Sequence, residues 1–136
     1  MRRRLFIGSV IGLAITAACK GGRSATLTEL QRIRSGALDI VLLSQSGALR
    51  HGKDQVVIEF RSAADGSLVD VGDVQGSATM PMAGMPMLGT IDVRRSDVAG
   101  RYLVSTQLEM AGTWRTTITW TGPAGPGSVT ISATAQ

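Results

Sequence analysis

The sequence predicts an all-β protein: an immunoglobulin-like antiparallel β-sandwich of about seven strands, carried behind an N-terminal export signal and a tether. Three observations lead there. From Ala37 to the end, apolar residues recur with period two in short runs rich in β-branched side chains. Glycine-centred turn signals break those runs roughly every 8–15 residues. The first 18 residues instead combine a basic start with a mostly apolar stretch.

Met1-Arg2-Arg3-Arg4 precedes a mostly apolar segment from Leu5 to Ala18, followed by Cys19, the only cysteine. At 1.5 Å per residue this helix-length segment reaches only about 21 Å, short of a hydrocarbon core of roughly 30 Å. Residues 1–18 therefore read as a signal peptide rather than a permanent span. Thr16-Ala17-Ala18-Cys19 resembles a lipoprotein-processing box, with Thr16 where that pattern has an aliphatic residue. Cys19 would then be the lipidated start of the mature chain; ordinary cleavage near Ala18 is the alternative. Arg3-Arg4-Leu5-Phe6-Ile7 also resembles the core of a twin-arginine signal. By either route the expected location is extracytoplasmic, as a membrane-anchored lipoprotein on the periplasmic face. Lys20 replaces the Asp that commonly retains lipoproteins at an inner membrane, which favours the outer one where two exist.

Residues 19–36 read as the lipidated Cys and a tether, polar and Gly/Ser/Thr-containing at first. Thr26 and Glu29 have capping-box spacing ahead of Leu30 and Ile33, compatible with a two-turn helix, marginal in isolation. A solvated spacer is the expected state, and the domain is drawn at 37–136.

The strands follow in order. Leu38, Ile40 and Leu42 share one face, then Val56, Ile58 and Phe60. A further strand falls around Leu68–Ala78, and Ile91 with Val93 marks the next. Tyr102, Val104 and Thr106 share a face, as do Trp114, Thr116, Ile118 and Trp120, and finally Val129, Ile131 and Ala133. Turn signals at Gly47, Gly52, Asp65-Gly66, Gly72, Ala83-Gly84, Gly100, Gly112 and Gly122-Pro123 separate them. With no second cysteine for a bridge between sheets, the core rests on apolar burial led by Phe60, Tyr102, Trp114 and Trp120.

Charge and composition exclude several functions. Residues 1–36 hold seven of the fourteen Lys/Arg against one acid, a net of +6. The remainder holds seven against nine, a net of −2. The body is thus no basic nucleic-acid binder, and 4% aromatics leave few stacking platforms. One Cys and one His exclude a disulfide framework and a Cys/His zinc site. His51 would be the lone imidazole base, and no Gly-x-Ser-x-Gly turn is present, so an enzyme is not expected.

The candidate site is a run of thioethers. Four of six methionines fall in Met80-Pro81-Met82-Ala83-Gly84-Met85-Pro86-Met87. A tight hairpin centred on Ala83-Gly84 would set Met82 against Met85, Pro81 against Pro86 and Met80 against Met87, with every sulfur on one face. Ala-Gly is a poor turn pair for such a hairpin, so a wider loop is the alternative. Thioether sulfur is a soft neutral ligand that suits Cu(I), and Met110 or His51 would extend the set from other loops. Met85 and Met87 also have the parity of Ile91 and Val93, which equally fits core packing or a soft partner-binding patch.

Across residues 38–134 the chain resembles the YtkA-like domain family, which overlaps the FixH-like group. The resemblance is carried by Gly52-Lys53-Asp54, Asp65-Gly66, the Met80–Met87 segment, Gly100-Arg101-Tyr102 and Met110-Ala111-Gly112-Thr113-Trp114. It implies a small exported or membrane-tethered β-sandwich engaged in copper handling. The partners it implies are heavy-metal efflux adaptors or haem-copper oxidase assembly proteins.

Overall fold

A computed structural model describes residues 26–123 and 125–136. The signal peptide, Cys19 and the first part of the tether lie outside the described residues. Eight strands follow in chain order: β1 Thr28–Ser35, β2 Leu38–Ser44, β3 Gly52–Ser62, β4 Asp73–Met80, β5 Met87–Arg95, β6 Arg101–Leu108, β7 Gly112–Gly122 and β8 Gly125–Ala135. All pairings between them are antiparallel, in the order β1-β2-β3-β6-β5-β4-β7-β8, and the described residues contain no helix. The sheet folds on itself until its ends nearly meet, with β1-β2-β3-β6 facing β4-β7-β8.

The eighth strand is β1, in residues the sequence reading gave to a spacer or a short helix. It pairs with β2 from Thr28↔Ser44 to Ser35↔Leu38, with a bulge between Glu29 and Gln31. An i, i+3 apolar pair ordinarily marks a helix face. The bulge changes the side-chain phase by one residue, so Leu30 and Ile33 both pack on the core from an extended strand. The strand expected around Leu68–Ala78 lies later, at β4, and Leu68 makes only an isolated bridge to Arg61.

Inward parity holds elsewhere as the alternation requires. Phe60, Trp114, Ile118 and Ile40 are wholly buried, and Tyr102 and Trp120 nearly so. Phe60 meets Tyr102 and Trp120 edge-on, at centroid distances of 5.4 and 5.2 Å, the geometry that ring quadrupoles favour. The Trp120 indole lies directly on Gly127 of β8, where any Cβ would overlap it.

β5 joins the two layers. Thr90–Arg95 pairs with β6, whereas Met87–Gly89 pairs with the end of β4. The changeover falls at Gly89, where a Cβ would stand 2.8 Å from Leu108 and 3.2 Å from Trp114. Only glycine lets the strand cross there without displacing the core.

Three outward-facing residues of the β1-β2-β3-β6 layer are buried as well: Asp39, Val41 and Glu59. Glu59 accepts hydrogen bonds from Arg61 (2.9 Å) and Arg101 (2.8 Å). Asp39 accepts from Arg34 at 3.0 Å, which holds its carboxyl below the ordinary range, with Arg32 adding to the effect. The long arginine stems cover the apolar surface between these acids.

Candidate functional site

Alternation of chain direction sends every other connection to the same end of the fold. The start of β1, the β2–β3 loop, the β4–β5 loop, the β6–β7 turn and the end of β8 share one pole. His51, the Met80–Met87 segment and Met110 are therefore gathered at one mouth, although the sequence separates them by up to about sixty residues. The β6–β7 turn, Glu109-Met110-Ala111, links the two layers at this pole.

Met80 and Met87 are register partners, closing the β4–β5 ladder. Beyond them the tight hairpin does not form, and Pro81–Pro86 is an open loop. The reason is conformational. A type I′ turn needs φ > 0 at both central residues, yet only Gly84 adopts it (φ +97°) and no described non-glycine residue does.

The four sulfurs consequently divide. Met80 is buried, its Cε 2.9 Å from where a Cβ on Gly112 would stand, and Met87 packs on the core as its parity with Ile91 dictates. Met82 and Met85 stand in the loop with 48% and 79% exposure. Met110 is exposed, while its carbonyl accepts the Trp114 indole N–H at 3.0 Å, so the buried ring pins the turn that carries it. The sequence-derived segment thus supplies two anchoring thioethers, two free ones and a third free one on the neighbouring turn.

His51 is exposed and held from behind. Its Nδ1 and its backbone N–H both point to the Gln136 oxygen, at 2.7 and 3.0 Å. The oxygen only accepts, so Nδ1 is the donor in this contact, and the bond fixes the ring with Nε2 turned away from Gln136, as the outer hydrogen bond of a ligating histidine does. Among the described residues there is no group of three or more His, Cys, Asp or Glu arranged to hold an ion. The soft donors at this pole are the exposed thioethers and one imidazole, which suit Cu(I).

Leu88 was not anticipated as part of this surface. It sits one place after Met87 with outward parity and 70% exposure. An apolar residue at an outward position of a strand was the available signal. Among the described residues, four of the six exposed large apolar side chains, Met82, Met85, Leu88 and Met110, lie at this pole.

The opposite pole is structural. Tyr102 donates its hydroxyl hydrogen to the Gly72 carbonyl at 2.7 Å, and Asp70 accepts from the Gly72 N–H and from Arg95. Those bonds hold the Asp70 carboxyl below its usual range, the Gly72 amide first and Arg95 second. Burial, then the Asp70 charge, pushes the Tyr102 phenol up.

The YtkA-like family model matches residues 35–119, which takes in the whole methionine segment, His51 and Met110. The chain belongs to the YtkA-like family. No curated protein and no solved structure matches it. In this YtkA-like domain the family match begins at the last residue of β1 and ends within β7, so both edge strands lie essentially beyond it.

Proposed function

We propose that this YtkA-like protein is an extracytoplasmic copper-handling module, tethered to a membrane by a lipid on Cys19, that binds Cu(I) or a copper-delivering partner through its methionine mouth. The observation carrying this reading is that Met82, Met85 and Met110 are exposed thioethers at the same pole as His51, whose ring is held through Nδ1. When bound, Cu(I) would be the cargo. The loop methionines would capture it, Met80 and Met87 would hold the loop's base, and His51 would supply a nitrogen ligand. The partner by family would be an efflux or haem-copper oxidase assembly protein. The domain performs no catalysis in this reading.

A second reading has an observation of its own. Leu88 is exposed at the same pole as Met85, an apolar side chain that thioether chemistry does not require, as expected of a metal-free module that docks on a membrane efflux or oxidase-assembly complex.

Titration with Cu(I) against a competing chelator separates the two. Changing Met82, Met85 and Met110 together to Leu keeps volume and apolarity and removes the sulfurs. The copper reading expects binding to collapse with folding intact and Zn(II) to bind neither form. Absence of Cu(I) binding by the wild-type protein would leave the docking module in front.

A further inference from the structure

We propose that the methionine pole is seated on the lipid surface of the membrane that holds the Cys19 anchor. The inference rests on that anchor and is independent of copper. It begins with the place where the tether enters the fold. Eight residues separate Cys19 from Thr28, the first residue of β1. At about 3.3–3.6 Å per residue, that stretch reaches at most about 30 Å. The start of β1 lies at the methionine pole, with the β4–β5 loop and the β6–β7 turn. The longest strands, such as β3, have 11 residues. The two poles therefore stand about 25–35 Å apart once strand tilt is allowed for. Turning the opposite pole to the bilayer would stretch the tether to its limit, whereas the methionine pole is delivered to the surface with slack to spare.

The exposed side chains distinguish the poles in the same sense. Among the described residues Met82, Met85, Leu88 and Met110 are the large exposed apolar side chains of the methionine pole. Of the remaining two, Val98 lies at the opposite pole and Leu103 on the outer face of β6. The 81–86 loop carries no charge. At the same pole Arg50, Lys53 and Arg115 stand against Asp54 and Glu109, and Lys20 and Arg23 of the tether add two positive charges. The connections at the other pole, 63–72 and 96–100, hold Asp65, Asp70 and Asp97 and no Lys or Arg.

Reach, apolarity and charge select the same occupant. Thioether and leucine side chains partition into the boundary between headgroups and acyl chains, and basic residues beside them are drawn to anionic lipid. The acidic connections of the other pole are repelled by that surface and face away from it. Because the anchor already holds the domain at short range, seating is an intramolecular step. A handful of apolar side chains, too few for stable binding from solution, then suffices. Burial of one such side chain favours the seated state by about tenfold or more. The methionine mouth opens toward the bilayer rather than toward the surrounding fluid.

The test couples the mature chain, residues 19–136, through the Cys19 thiol to a maleimide phospholipid in vesicles of phosphatidylcholine and phosphatidylglycerol. The reference is the same chain free in buffer, its Cys19 capped with N-ethylmaleimide. Dilute hydrogen peroxide converts accessible thioethers to sulfoxides, read residue by residue by mass spectrometry at low conversion. On vesicles Met82, Met85 and Met110 should oxidise about tenfold more slowly than in the reference, with buried Met80 slow in both. Leu88→Asp puts a charge in the seat and should return all three close to the reference rate; Val98→Asp, at the opposite pole, should not. Both sites are exposed, so each variant should keep the wild-type far-ultraviolet dichroism. Equal rates on vesicles and in buffer, indifference to Leu88→Asp, or equal release by Val98→Asp overturns the seating. Protection in cell membranes but not on these protein-free vesicles would assign the pole to a protein and overturn the lipid surface as its occupant. The anchor is checked apart, from the mass of the N-terminal peptide of the native protein: an unacylated Cys19 overturns the anchor, while the vesicle rates still decide the seating.

Discussion

Gly127→Ala is a one-methyl change whose effect depends on a single contact. Gly127 does not adopt positive φ, so the backbone admits alanine, and in an open strand the change would gain about 0.5–1 kcal/mol. Here the new Cβ overlaps Cε2, Cζ2 and Nε1 of Trp120. The indole is 5% exposed and meets Phe60 edge-on, so making room for the methyl disturbs that pair. Overpacking of this kind costs about 1–3 kcal/mol, and a disturbed aromatic pair adds about 0.5–1.5. Offsetting the propensity gain leaves a net loss of about 2 kcal/mol, a fall in Tm of roughly 8–16 °C for a domain of this size. Trp120→Leu vacates the contact and costs about 3 kcal/mol by itself; in that background Gly127→Ala should be neutral within about 0.5 kcal/mol. Urea unfolding of the four proteins closes the cycle. Strict additivity, or a Gly127→Ala protein as stable as wild type, would refute the placement of the indole on β8.

The methionines should separate by role: Met80→Ala should cost about 2–4 kcal/mol in urea unfolding, because it empties a packed position beside Gly112, whereas Met85→Ala should stay within about 0.5 kcal/mol. Acid should weaken the fold. Asp39 and Asp70 are both held below the ordinary carboxylate pKa of 3.8, so the stability they contribute is complete above that value and lost as pH falls below it. A Tm that stays level from pH 6 to 2 (roughly, the span over which carboxylates protonate) would contradict those ion pairs. Cys19→Ala should release the mature protein from membranes after a high-salt wash; equal retention would count against the lipid anchor.

The strand faces were legible because each is half-buried with strict alternation, as in Trp114, Ile118 and Trp120. Reading failed where alternation was interrupted. The bulge in β1 gave Leu30 and Ile33 a helical interval, and no local pattern reveals a bulge before its partner strand is known. Val41 breaks the alternation in another way, being apolar, outward-facing and still buried, because Arg32 and Glu59 flank it from neighbouring strands. At the candidate site the composition and the pairing of Met80 with Met87 were readable. The division into buried and free sulfurs was not, since it depends on where the β4–β5 ladder stops. Nor was the switch of β5 at Gly89, which reads locally as one more small residue in a strand.

The contact between His51 and Gln136 spans 85 positions of chain. Bringing two points that far apart together in an open polymer costs on the order of 4 kcal/mol in loop entropy. One or two hydrogen bonds return only about 0.5–1.5 kcal/mol each. This contact therefore cannot seed folding; it forms after the hairpins and both layers have already delivered its ends to the same place. By the same arithmetic it is among the first to let go. The imidazole at the mouth is thus oriented by the last stitch of the fold, and its orientation reports, in time as well as in space, that everything before it has closed.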